Sequence, residues 1–247
     1  MSDDSILLSK RLLKLTEWIP FAARVADIGG DHARLLIHQA KAGGLSHGIV
    51  GELNRGPFEN ARRTIRKEKV ENIVEVRLGD GLSVLKPDEV DVIVIAGMGG
   101  ALIRQILKEG KEKLQGVKRL ILQPNIGGHN VRMWLKENGF CLVDETLVED
   151  AGILYEALVA EPGEEMIYDE MSQELSETTL MEVGPLLLKN QHPLLKRKVM
   201  QEWKSKQKVF RALKNGKSET AVNKREKLAE QLKEWEKVKR CLFSEST

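Results

Sequence analysis

Residues 25–36 read VADIGGDHARLL: an apolar run ending at Asp27, then Gly29 and Gly30, the pair Asp31-His32, and a continuation with helical spacing. A chain that turns through glycines at a strand end can bring its backbone close to a ligand, here beside three polar side chains. A dinucleotide would need G-x-G-x-x-G, whose glycines admit the pyrophosphate to a helix N-terminus. This stretch lacks the second and third of those glycines, and an Asp at the turn repels a pyrophosphate. No Gly-Lys-Ser/Thr follows, so a P-loop is excluded. The five histidines show no ligand spacing, and the two cysteines, Cys141 and Cys241, lie far apart. No metal site and no disulfide framework is therefore expected. A carboxylate beside a glycine-lined turn instead suits a cationic, phosphate-free ligand such as S-adenosylmethionine, with its sulfonium and amino group.

The ends of the other apolar runs agree. Glu52, with Leu53, closes the next run 25 residues after Asp27, where an acid can accept from both ribose hydroxyls. Asp80-Gly81 closes the third, a place to meet an adenine amine. Gly97, Met98, Gly99 and Gly100 follow the fourth and let the backbone approach a ligand. Asp27, Gly29, Glu52, Leu53, Asp80, Gly81, Gly97 and Met98 are thus the expected donor site. The loop after the fourth run, AGMGG, lacks the Asn/Asp-Pro-Pro-aromatic motif of exocyclic-amine methylation, and QPN at 123–125 lacks the aromatic. A ring nitrogen with its own lone pair needs less: attack on the methyl group and stabilisation of the cation that forms. Asp31 is a candidate for that stabilisation and His32 for a second catalytic role. The bland alternatives are that Asp31 caps a helix beginning near His32 and that His32 bonds backbone there.

These residues need elements to hold them. RVADIG, SHGIVGEL, IVEVRLGD, VDVIVIAG and KRLILQPN read as strands, separated by segments with helical spacing of apolar positions. The continuous run Val92–Ile95 fits a parallel strand buried on both faces. Such alternation implies βαβ crossovers and a parallel sheet with helices on both sides, an α/β fold. FCLVDETLVEDAGILYEALVAEPG then gives two strand-like runs joined by the turn-prone EDAG, an antiparallel hairpin of the kind that ends a methyltransferase sheet. GEEMIYDEM and Gly184-Pro185 mark the exit from a domain of residues 1–163.

Residues 164–247 are expected to be a helical extension. Leu195, Val199, Trp203, Phe210 and Leu213 share one helical face. NGKSET is a break with Ser218 as an N-cap, and Leu228, Leu232, Trp235 and Leu242 share a second face. The two helices should form a protruding antiparallel hairpin with Trp203 and Trp235 in its seam.

The net charge of +2 conceals an asymmetry. Residues 1–163 carry 22 Lys+Arg against 23 Asp+Glu, residues 164–195 carry 1 against 7, and residues 196–247 carry 16 against 7. A basic tail on a near-neutral body suits a polyanion, because clustered cations displace counterions from phosphates; the alternative is a solvated helical surface. Lys196, Arg197 and Lys204 are the tail candidates for nucleic-acid contact. Lys10 and Arg11 are further candidates, on a helix ahead of the first strand that could fold over the pocket mouth. Asn125 either caps the next helix or faces a target base, and Tyr155 is either a core strand residue or a stacking platform. No apolar stretch reaches the roughly 18 residues of a membrane span, and the acidic-then-basic start is the wrong order for a secretory signal. The expectation is a reduced, cytoplasmic protein.

LSKRL at 8–12, DIGGDHA at 27–33, GELNRGP at 51–57, GDGL at 79–82, IAGMGG at 95–100, LILQPN at 120–125 and the Tyr155-Glu156 strand together resemble the bacterial TrmK-type tRNA (adenine-N1)-methyltransferases over essentially the whole chain. The resemblance implies a Rossmann-like class I methyltransferase domain with a coiled-coil-like C-terminal extension. It also implies methyl transfer from S-adenosylmethionine to N1 of the adenosine at position 22 of tRNA. Members of that family commonly read DIGSDHAYLP; here Gly30, Arg34 and Leu36 replace Ser, Tyr and Pro. A monomer acting on tRNA, without metal or membrane, is the expectation. A small-molecule or rRNA methyltransferase and a non-catalytic RNA-binding adaptor are the competing classes.

Overall fold

In the computed structural model, residues 7–172, 175–213 and 218–243 are described, apart from the side chains of Asp31 and Ala221. The chain divides into two compact units between Glu165 and Met166.

The first unit opens with α1 (Lys10–Thr16), whose N-cap Ser9 accepts from the Leu12 N–H. Then β1 (Ala23–Ile28), α2 (Arg34–Lys41), β2 (Leu45–Glu52), α3 (Arg55–Lys67) and β3 (Val74–Leu78) alternate. A second run follows: β4 (Val92–Gly99), α4 (Gly100–Glu109), β5 (Arg119–Ile126) and α5 (Gly128–Glu137). Finally β6 (Phe140–Asp150) and β7 (Ile153–Pro162) form the hairpin. All seven strands make one sheet in the order β3-β2-β1-β4-β5-β7-β6. The first five are parallel, while β7 lies antiparallel between β5 and β6. Strand order reverses at β1, which pairs with β2 on one side and β4 on the other. Val25, Ala26 and Val92–Ile95 are buried, as the helices on both faces require.

A buried ion triad fixes the hairpin to α5. Arg132 is fully buried; its Nε donates to Glu145 on β6 at 2.5 Å and its Nη2 to Glu156 on β7. Gly128 makes room for this, since a Cβ there would lie 2.4 Å from Glu156 Oε2.

The second unit contains the expected pair, α9 (Leu195–Leu213) and α10 (Glu219–Phe243). Lys196 reaches the Phe243 ring, and Lys239 and Lys206 reach the rings of Trp203 and Trp235, so the two run antiparallel. Trp235 is fully buried and donates to Glu182 at 2.8 Å. The break at NGKSET falls partly outside the described residues; α10 begins as the Val222 N–H donates to the Ser218 carbonyl. The pair does not stand alone, contrary to expectation. The exit from the first unit falls inside GEEMIYDEM, between Glu165 and Met166, but the end of that segment and Gly184-Pro185 belong to three short helices of the second unit, α6 (Ile167–Met171), α7 (Glu177–Val183) and α8 (Pro185–Lys189). Leu180, Val183, Leu187, Leu195, Val199 and Val238 are buried with Trp235 as this unit's core. No described helix is long and apolar enough to cross a membrane.

Removing one member of a buried ion triad strands the others in a low-dielectric interior. Arg132→Met should therefore lower the unfolding free energy of the first unit by about 3–5 kcal/mol, read by urea denaturation. A loss below about 1 kcal/mol would show that the triad is not a structural tie.

Candidate active site

The site begins where β1 ends. The Gly29 N–H donates to the Gly51 carbonyl at 2.8 Å, with φ +68°, which a side chain would resist. A Cβ on Gly29 would lie 2.3 Å from Met98 Cε, and one on Gly30 would lie 2.4 Å from Asp27 Oδ2. These glycines let the β1 turn close onto both neighbours. Asp31–Ala33 form a single 3-10 turn in which His32 and Ala33 both take left-handed conformations, φ +63° and +60°. Two such non-glycine residues in succession store on the order of 1–3 kcal/mol each, which a loop serving only as a connector would not need. The expectation of a helix starting near His32 is corrected here. The α-helix starts at Arg34 and its N-cap position is Ala33. Asp31 lies two residues ahead of that N-cap position, and its side chain is outside the described residues.

A cavity of about 360 Å³ opens beside this turn, lined by Asp27, Gly29, Gly30, Arg34, Gly97 and the α1 side chain of Arg11, among others. Asp27 and Glu52 are both buried, at the ends of neighbouring strands. Burial pushes the Asp27 carboxyl up to about 7; the Glu52 charge adds to the rise and Arg11 opposes it. A buried carboxyl held up in this way, with a second buried carboxyl at the end of the next strand, favours a bound cation that would ionise Asp27. Met98 stands against Gly29, Leu53 is 60% exposed, and Asp80 is exposed ahead of the turn at Gly81, φ +50°.

The irregular end of β4, bulged at Gly97, is held by two amides of β5. Gln123 is fully buried; its Oε1 accepts from the Gly97 N–H at 3.1 Å and from Arg11 Nη1. Its Nε2 donates to Asn125 Oδ1 at 3.2 Å, and Asn125 Nδ2 donates to the Gly97 carbonyl at 2.7 Å. Both polar groups of a left-handed Gly97 (φ +79°) are therefore tied down. Asn125 does not cap the next helix: α5 starts at Gly128 after Gly127, with no side-chain cap. Gln123 was not among the expected site residues, although a lone amide inside the apolar run LILQP was a readable signal.

Arg11 joins α1 to this network. Its backbone N–H donates to Asp150 at 3.2 Å and its guanidinium sits 5.2 Å from the centre of the half-buried Tyr155 ring. Tyr155 and Arg11 thus meet, while Lys10 is exposed outside these contacts. In the second unit, Lys204 is exposed, Arg197 is half-buried and Lys196 lies 5.3 Å from the Phe243 ring. Other tail cations are used internally. Lys198 is buried and donates to the Glu182 and Val183 carbonyls that end α7, and Lys206 pairs with Glu182 at 2.9 Å. No group of three metal-ligating side chains occurs among the described residues.

This strand order, with carboxylates ending β1 and β2 and a glycine loop ending β4, defines a Rossmann-like S-adenosylmethionine-dependent methyltransferase. The family model for TrmK, tRNA (adenine(22)-N(1))-methyltransferase, matches residues 25–237, and the chain belongs to that family. It is 42% identical over 222 residues to the tRNA (adenine(22)-N(1))-methyltransferase of Bacillus subtilis, covering 90% of this chain and 91% of that one. The crystal structure of the B. subtilis M1A22 tRNA methyltransferase TrmK superposes with a TM-score of 0.88 at 40% identity, over 95% and 99% of the two chains. Streptococcus pneumoniae Sp1610 in complex with S-adenosyl-L-methionine gives 0.79 at 34% identity, over 94% and 100%.

The Asp27 shift makes stability fall with pH. Below its ordinary value of 3.8 the folded and unfolded chains both hold the proton. Between there and about 7 only the unfolded chain releases it, so the native state loses ground as pH rises, by on the order of 4 kcal/mol in all. Asp27→Asn should remove this loss. Its stability advantage over the parent, measured by urea unfolding without ligand, should grow between pH 5 and pH 8. A constant difference across that range would mean that Asp27 is ionised in the folded protein.

Proposed function

We propose that this chain methylates N1 of the adenosine at position 22 of tRNA, using S-adenosylmethionine held in the cavity beside Asp27. The observation that carries the reading is the buried Asp27 carboxyl lining a glycine-built cavity at the switch point of the sheet, with a second buried carboxyl, Glu52, at the end of the neighbouring strand. Asp27, Gly29, Gly97 and Met98 take the methionine end of the donor, with Asp27 ionising against its cationic groups. Glu52 accepts from the ribose hydroxyls, and Leu53, Asp80 and Gly81 border the adenine.

When bound, the donor supplies an electrophilic methyl carbon: the N1 lone pair forms the new C–N bond, the C–S pair stays on sulfur, and the positive charge passes to the base. Neutral adenine N1 carries no proton at pH 7, so no base is needed before attack. Asp31 offsets the charge developing on the ring, and His32, in the same strained turn, holds that loop in place. N1 lies on the Watson–Crick edge, so the adenine must leave its stack to present it. Lys10, Arg11, Asn125 and Tyr155 receive the base and its neighbouring phosphates at the mouth. Lys196, Arg197 and Lys204 contact the tRNA backbone. The protein works as a monomer in the cytoplasm, where unmodified tRNA is found.

The test is methyl transfer from labelled S-adenosylmethionine to unmodified tRNA, with nucleoside analysis and a tRNA bearing another base at position 22. The expected product is 1-methyladenosine, absent when that adenosine is replaced. Donor binding with no methylated tRNA would leave the fold and the donor and remove the substrate. Asp31→Ala should lower kcat about a hundredfold while changing donor Kd less than threefold; equal losses would make it a binding residue. Replacing Lys196 and Lys204 by Ala should weaken tRNA binding and reduce the salt slope by about 1 per residue. An unchanged slope would remove them from the interface.

A further inference from the structure

Asn125 stands exposed beside the cavity, one hydrogen bond from Gly97, with an amide whose orientation is fixed. Its Nδ2 donates to the Gly97 carbonyl and its Oδ1 accepts from Gln123 Nε2. Gln123 cannot turn over, because its Oε1 is held by two donors, the Gly97 N–H and Arg11 Nη1. Reversing Asn125 would in turn face its oxygen to a carbonyl and its NH2 to an NH2. A primary amide has two acceptor sites on oxygen and two N–H donors, and these contacts use one of each. One acceptor and one donor therefore remain among the described residues, beside the Gly97 that lines the cavity.

Adenine matches that pair. In the ring, the N6 amino group neighbours N1, and N7 lies just beyond it. A base that points N1 into the cavity therefore runs its N6–H donor and N7 acceptor along the rim. An amide takes this edge through two hydrogen bonds, whereas guanine offers two acceptors there, O6 and N7. Resting on the functional reading above, we propose that Asn125 reads the N6/N7 edge of the target adenine. Gln123 is the positioning residue that keeps its amide the right way round. The alternative is that Asn125 only braces the Gly97 loop.

The experiment uses the full-length protein and tRNA carrying either adenosine or 7-deazaadenosine at the target position. The analogue keeps N1 and N6 and loses N7. Wild-type kcat/KM should fall about tenfold on the analogue, the value of one base-edge contact. Asn125→Ala should be slower on adenosine yet treat the two substrates within about twofold. Any effect of the analogue on N1 nucleophilicity is common to both proteins, so the ratio of ratios isolates the contact. Gln123→Glu keeps an acceptor for Gly97 and Arg11 but cannot donate to Asn125, and it should lose discrimination in the same direction. Equal wild-type rates on the two substrates, or undiminished discrimination in Asn125→Ala, would overturn the inference and leave the functional reading intact. No methylation of adenosine tRNA by the wild type would remove both.

Discussion

Everything at this site depends on a carboxyl group held where it is least stable, buried at the end of the central strand of a parallel sheet. Asp27 lies between β2 and β4, with Glu52 at the end of one neighbour and the Gly97 bulge near the end of the other. An unmodified parallel sheet would place an apolar side chain there and gain stability. A carboxyl kept partly protonated by burial is instead a store of affinity for a cation, since a bound positive charge restores its ionised form. The glycines around it follow from the same constraint. Gly30 is tight against the Asp27 carboxylate and Gly29 against Met98, so the turn can close over the acid only if neither position carries a side chain.

Much of this was legible in the sequence because it rests on periodicity and chemistry that are local. The apolar run Val92–Ile95, the strand-ending acids and the hairpin after Gly139 each correspond to elements of the sheet. What was not legible depends on long-range pairing. The left-handed conformations of His32 and Ala33 are imposed by the closure of the turn and not by either residue's preference, so helical spacing placed the start of α2 too early. Asn125 was ambiguous for a related reason. A polar residue shortly before a helix resembles a cap, and only the pairing of β4 with β5 reveals Gly97 as its partner.

The basic tail shows the limits of counting charge. Lys198, Lys206 and Lys239 are committed to helix-end carbonyls, Glu182 and the Trp203 ring, so they contribute to the second unit's packing as well as to its charge. Composition alone could not separate these from Lys204, which is exposed, because the acidic and apolar partners lie dozens of residues away. The short helices α6–α8 escaped notice likewise. Their apolar residues are too few for a clear period, and they pack on one another and, through α7, on α10.

The hairpin links stability to the site through the alternation of a single strand. Successive residues of β7 point to opposite faces, so Tyr155 and Glu156 cannot serve the same side. Glu156 is drawn to Arg132 and the start of α5, which sets the register of β7 against β6, Val148 opposite Tyr155 and Leu147 opposite Glu156. That register leaves Tyr155 on the other face, under the Arg11 guanidinium. Arg11 in turn holds Gln123, and Gln123 holds the Gly97 loop. An ion triad on one face of the sheet thereby fixes which ring meets Arg11 on the other. The costly burial of those three charges is explained by what the register positions, since an apolar contact would tolerate a slip that the triad does not.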